Sequence, residues 1–178
     1  MSKLKSPKRK GDYNERLAVK ELNKFLAGSG LVAVRVPGSG AFSHRLDNCY
    51  DPHYAGDVQI RREADQHIFT TVEVKARGKH INIADMDGWR KGRVSLMARQ
   101  DRGPFLCSAW AHYWDSLNAM RADGEMPFNE TEGKTRGVRL ADVHRSIEYG
   151  LPIRWENVFY MTTGQFAELL ISSYGTFC

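Results

Sequence analysis

Three cysteines among 178 residues, Cys49, Cys107 and Cys178, are odd in number, far apart and outside any C-x-x-C pattern. They argue against a disulfide framework and a cysteine zinc site, and they make a reducing cytoplasm the expected location. His44, Cys49 and His53 invite a zinc reading, but their spacing matches no closed tetrahedral pattern. No apolar run approaches the ~18 residues of a membrane span, and the N-terminus lacks an apolar signal core. No internal repeat and no second domain can be made out, so no membrane partner and no repeat array are expected.

What is present fits one globular domain. The length suffices to bury a core, and 42% hydrophobic with 26% charged residues is ordinary for a soluble protein. The net charge of +5 is unevenly placed: of 26 basic residues, Lys3, Lys5, Lys8, Arg9 and Lys10 fall in the first ten positions, leaving 21 against 21 acids. Residues 1–10 therefore read as a flexible basic arm and 11–178 as the single folded domain. Such an arm suits contact with a phosphate backbone, although basic tails also serve solubility alone.

The stretch Gly56 to Arg77 reads as two β-type runs around a polar turn from Arg61 to Gln66. Along the second run, Ile68, Val72, Val74 and Ala76 alternate with Phe69, Thr71, Glu73 and Lys75. In the first, Val58 and Ile60 oppose Asp57, Gln59 and Arg61. With the apolar faces superposed, Asp57, Glu73 and Lys75 share one polar face. Two acids and a lysine there suit a hard cation with a cationic helper; a solvated strand face is the ordinary alternative.

Before the hairpin, periodicity predicts a helix from Tyr13 to Ala27, closed by Gly28-Ser29-Gly30. Glu15 lies on its apolar stripe, seven residues before Leu22, where an acid needs a partner. It could equally belong to a capping arrangement with Asp12 at the helix start. Leu31 to Val36 is a predicted strand, interrupted by Arg35, whose charge requires a partner or solvent. Pro37 to Ala41 is a glycine-bearing loop, and 40–55 a polar, aromatic one.

After the hairpin, a helix is expected over Ala84 to Arg99, with Met86, Trp89, Leu96 and Met97 on one side and Arg90, Lys91, Arg93 and Arg99 on the other. A strand candidate follows over Pro104 to Trp114, then a poorly readable segment over 114–137. Next come a helix over Leu140 to Tyr149 and a strand over Asn157 to Met161. Thr162-x-x-Gln165 opens a terminal helix with Phe166, Leu169 and Leu170 inward. The series α-β-β-β-α-β with a C-terminal helical extension predicts an α/β fold, a central mixed β-sheet flanked by helices.

Four short motifs in order, RKGDYNER (Arg9 to Arg16), VAVRVPGS (Val32 to Ser39), GDV (Gly56 to Val58) and VEVK (Val72 to Lys75), resemble the PD-(D/E)XK nuclease superfamily. Within it, the chain looks most like the archaeal-type Holliday junction resolvases (Hjc-like). The resemblance covers most of the first 77 residues and implies a restriction-endonuclease-like core. It implies that Glu15, Asp57 and Glu73 hold Mg²⁺, with Mn²⁺ able to substitute, that Lys75 orients the attacking water, and that Ser39 is an active-site residue. It further implies that Arg16 and Arg35 help to hold a four-way DNA junction and that a homodimer cuts paired strands. Lys8, Arg9, Lys10, Arg77 and Lys79 are the remaining candidate DNA contacts. Gly56 stands where the superfamily label has proline, and the segment from Ser39 to Asp57 is longer than usual. The competing readings are a related nuclease for flaps, nicks or duplex sites, and a DNA-binding scaffold without turnover.

Overall fold

The computed structural model of the chain describes residues 7–36, 56–78, 80–90, 95–121 and 124–174. Helix α1 (Pro7–Leu26) starts before the predicted Tyr13 and takes in the last residues of the expected arm. Ala18, Leu22 and Leu26 recur at helical spacing and are its buried stripe. Strands β1 (Leu31–Arg35), β2 (Val58–Arg62) and β3 (Ile68–Arg77) then pair antiparallel in succession. The β2–β3 hairpin is the expected one, with a register irregularity between Ile60 and Arg61.

Helix α2 (Ile83–Arg90) crosses to β4 (Ser95–Gln100), which runs parallel to β3. This corrects the predicted helix over 84–99: its second half is a strand. The reason is burial on both faces. Leu96, Met97 and Ala98 are all fully buried between β3 and β5, so the run has no two-residue alternation to betray it. Arg99 accordingly lies on no basic helix face. It is buried, its Nε donates to the Asp101 carbonyl at 3.1 Å, and its guanidinium stands over Phe105.

The chain continues through β5 (Phe105–Trp110), α3 (Ala111–Ala119), β6 (Asn129–Thr131), α4 (Leu140–Ile147), β7 (Ile153–Trp155), β8 (Val158–Thr162) and α5 (Thr163–Tyr174). The order thus begins α-β-β-β-α-β as expected, with Ser95–Gln100 rather than the segment after Pro104 as the last strand of that series. Among the described residues, the eight strands form one mixed sheet in the order β1-β2-β3-β4-β5-β8-β7-β6. One face carries Val58, Val72, Val74, Met97 and Phe159 beneath α1, α3 and α5. The other carries Leu96, Ala98, Leu106 and Tyr160 beneath α2 and α4. Among the described residues, no helix is long and apolar enough to cross a membrane.

Candidate functional site

The site is built on the entry to β2. Gly56 adopts φ of 70°, and a Cβ there would stand 3.1 Å from both Thr71 Cβ and the Val72 carbonyl oxygen. Only glycine suits that conformation and that approach, and proline, held near φ of −65°, could not adopt it. The turn delivers Asp57 with its backbone fixed on both sides. Its N–H donates to the Val72 carbonyl at 3.0 Å, and its own carbonyl accepts from the Val36 N–H at 3.0 Å. Its side chain is fixed too, Oδ2 accepting the Val74 N–H at 2.9 Å.

Continuing the register one step beyond the Val58–Val72 pair sets Asp57 opposite Glu73. Glu73 is only 4% exposed, an acid in the middle of a sheet covered on both faces. An ionised carboxylate there needs a partner. Lys75, two residues along and on the same face, supplies it: its Nζ bonds Glu73 Oε1. Lys75 itself is more open, with 39% of its side chain exposed. The hairpin therefore gathers two carboxylates and one ammonium on one face, from adjoining strands.

Glu15 belongs to a different group. Val58, Val72 and Val74 face α1, so Glu73 and Lys75, alternating with them, face the other way. On the α1 side, Arg35 Nε donates to Glu15 Oε2 at 2.6 Å, and its terminal nitrogen to Asp12 Oδ1 at 2.6 Å. The guanidinium is held above its ordinary pKa, chiefly by the bond to Glu15, with burial opposing. Of the two explanations for Glu15, the capping one loses its basis because α1 starts at Pro7, and the cationic partner is Arg35. Among the described residues, no group of three or more His, Cys, Asp and Glu side chains is arranged to hold a metal ion.

The other expected contacts scatter. Arg16 is exposed on α1. Arg77 ends β3 with its guanidinium 4.7 Å from the Trp89 ring centroid. Lys8, Arg9 and Lys10 lie in the first turn of α1 by backbone. Ser39, Lys79 and the 40–55 loop, with His44, Cys49 and His53, lie outside the described residues. Cys107 is buried in the core, where burial pushes its thiol up to about 12, so it is no nucleophile. Sequence reasoning missed Asp12 as the second partner of Arg35, since its pairing spans 23 residues. It also missed the Val74 N–H as the group that aims Asp57.

No protein-family model matches the chain. No curated protein matches it. Among solved structures, it is similar to Hjc, a Holliday junction resolvase from the archaeal hyperthermophile Archaeoglobus fulgidus, with 20% sequence identity over 52% of this chain and 70% of that one and a TM-score of 0.29. A likeness of that extent carries no conclusion about activity, which must come from the residues themselves.

Proposed function

We propose that the chain is a magnesium-dependent endodeoxyribonuclease with a restriction-endonuclease-like core, acting on four-way DNA junctions. The observation that carries the reading is Asp57 in register with Glu73 across the hairpin, with Lys75 bonded to Glu73 on the same face. Mg²⁺ favours carboxylate oxygen and needs only one or two such ligands, keeping waters for its other positions. Asp57 and Glu73 suit that donor set without a third acid, and they are the residues that would hold the ion, or Mn²⁺ in its place. Once bound, the metal supplies Lewis acidity toward the phosphoryl oxygens and toward water.

The chain's own groups would do the rest. The Val74 N–H fixes the aim of Asp57, so little reorganisation is needed when a phosphate arrives. Lys75, partly open to solvent, would turn its protons toward the attacking water and a nonbridging phosphate oxygen. Glu15 enters not as a ligand but through Arg35, which it holds at the end of β1 beside the backbone of Asp57. Arg16, Arg35, Arg77, Lys79 and the basic residues Lys8, Arg9 and Lys10 would meet the phosphate backbone, so affinity should fall with salt. Paired cuts in a junction require two sites, hence a homodimer.

The test is cleavage of a synthetic immobile four-way junction, with Mg²⁺, beside a linear duplex of the same sequence. Nicks at paired positions in the junction alone are expected. Equal cutting of both substrates would replace this reading with a less selective nuclease for flaps, nicks or duplex. Tight binding without cutting in either Mg²⁺ or Mn²⁺ would replace it with a scaffold.

A further inference from the structure

Two guanidinium groups stand on the same face of the hairpin as the acid pair, one beyond each end of it. On β2, Val58 and Ile60 turn toward the core beneath α1, so Gln59 and Arg61 share the opposite face with Asp57. On β3, Arg77 continues the series Glu73 and Lys75, and the Trp89 ring it meets packs with the core on that face. The strands run antiparallel with Asp57 set against Glu73, so the two arginines diverge from that pair in opposite directions. Each lies four residues from its acid, about 13 Å at the rise of a β-strand. The order along the face is Arg61, the acid pair, Lys75, Arg77.

What holds each arginine is uncharged. Gln59 is fully buried, and its Oε1 accepts Arg61 Nε at 3.0 Å and one terminal nitrogen at 2.6 Å. The other terminal nitrogen bonds no described residue and reaches the surface. Arg77 is exposed, and its guanidinium lies 4.7 Å from the Trp89 ring centroid, a contact with the ring face that leaves its N–H edge open. Trp89 follows fully buried Met86 by three residues on α2, which seats the ring. Among the described residues neither arginine has a carboxylate partner, whereas Arg35, Arg62, Arg139 and Arg154 each have one. A glutamate in place of Gln59 would cancel the charge it orients; the amide aims the fork and leaves the cation to a ligand. The acid pair repels a phosphate, and Lys75 is taken up by Glu73, so attraction must come from beside them. Two forks about 26 Å apart suit several phosphates of one continuous chain, not a single phosphate.

We propose that Arg61 and Arg77 are the two ends of a track that grips one DNA strand on either side of the acid pair, with Gln59 and Trp89 as positioning residues. The ligand rests on the nuclease reading, but the test reads binding alone. The affinity of the full chain for a fluorescent four-way junction is measured in EDTA over a range of salt. The natural chain is set beside Arg61→Gln, Arg77→Gln, Gln59→Glu, Trp89→Leu and Trp89→Phe, each with an unfolding curve. Arg136→Gln, exposed and outside the track, controls for net charge. Loss of either arginine should weaken binding about tenfold and lower the salt slope by about one. Gln59→Glu should reproduce the Arg61 loss and Trp89→Leu the Arg77 loss, while Trp89→Phe restores most of it. Should a change at buried Gln59 prevent folding, the two arginine variants carry the test. Replacing single phosphates with uncharged methylphosphonates should then find one position that ceases to matter in Arg61→Gln and another, on the same strand, that ceases to matter in Arg77→Gln. The track is overturned by an unchanged slope in either arginine variant, by an equal loss in Arg136→Gln, or by both arginines mapping to one phosphate. Junction cleavage in Mg²⁺ with unchanged slopes would remove the track and leave the nuclease; the expected slopes without cleavage would do the reverse.

Discussion

Arg35 joins two elements through two acids, at 2.6 Å each. Its need for a partner is plain from a charge inside an apolar strand, but the partner's identity is a tertiary fact that no local spacing encodes. Glu15→Gln keeps the shape and removes the charge, so one charge-assisted bond becomes a neutral one. The expected cost is about 1–2 kcal/mol in urea unfolding, with junction cleavage reduced only a few-fold. A collapse of activity without loss of stability would return Glu15 to the role of direct ligand. Gly56 gives the complementary case. Gly56→Ala forces a side chain into positive φ and against the Val72 carbonyl. It should cost at least about 1 kcal/mol and, by displacing Asp57, reduce cleavage more than an ordinary surface change of equal stability cost.

At the level of elements, local rules carried furthest where they are self-contained. The Thr162–Gln165 arrangement is a reciprocal capping box: the Thr162 N–H donates to Gln165 Oε1 at 2.8 Å and the Gln165 N–H to Thr162 Oγ1 at 3.2 Å. Thr162→Val removes that acceptor while keeping the branched shape, and a loss of about 1 kcal/mol in thermal unfolding is expected. The hairpin was legible because its alternation persists even though both faces are covered: Val72 and Val74 turn toward α1, and Glu73 is the exception that marks the site. β4 was not legible, since a strand between two others with helices on both faces needs no polar positions. The three-residue strands β6 and β7 carry too little pattern to stand out. Strand β1 lies at the sheet edge, where the Ala33 N–H donates to Asn23 Oδ1 at 2.7 Å and Asn23 Nδ2 donates to the Ala33 carbonyl at 3.0 Å. That plug closes the middle of the edge to strand addition, so a homodimer would need another surface.

For the whole molecule, two helix layers on one continuous sheet explain why polar residues inside it are informative. On one layer, Trp114 stacks on Phe159 with ring centroids 4.2 Å apart. On the other lies His144, whose pKa burial depresses. Between that lowered value and the ordinary 6.5, the unfolded chain binds a proton that the folded chain refuses, so stability rises with pH across this window. The contribution is complete above the unfolded value and is lost as pH falls toward the folded one, with a slope of at most about 1.4 kcal/mol per pH unit. His144→Phe should flatten the difference in Tm between pH 5 and 7.5 relative to the natural chain; an identical pH profile would contradict the assignment.

In the proposed function, the acids facing each other across the β2–β3 hairpin perform hydrolysis. The most direct measurement is the rate of strand scission in a four-way junction by Asp57→Asn, beside the natural chain, at saturating Mg²⁺ and with unfolding curves confirming that both are folded. A loss of about a hundredfold or more, with junction binding retained, is expected. Scission at the natural rate would contradict it.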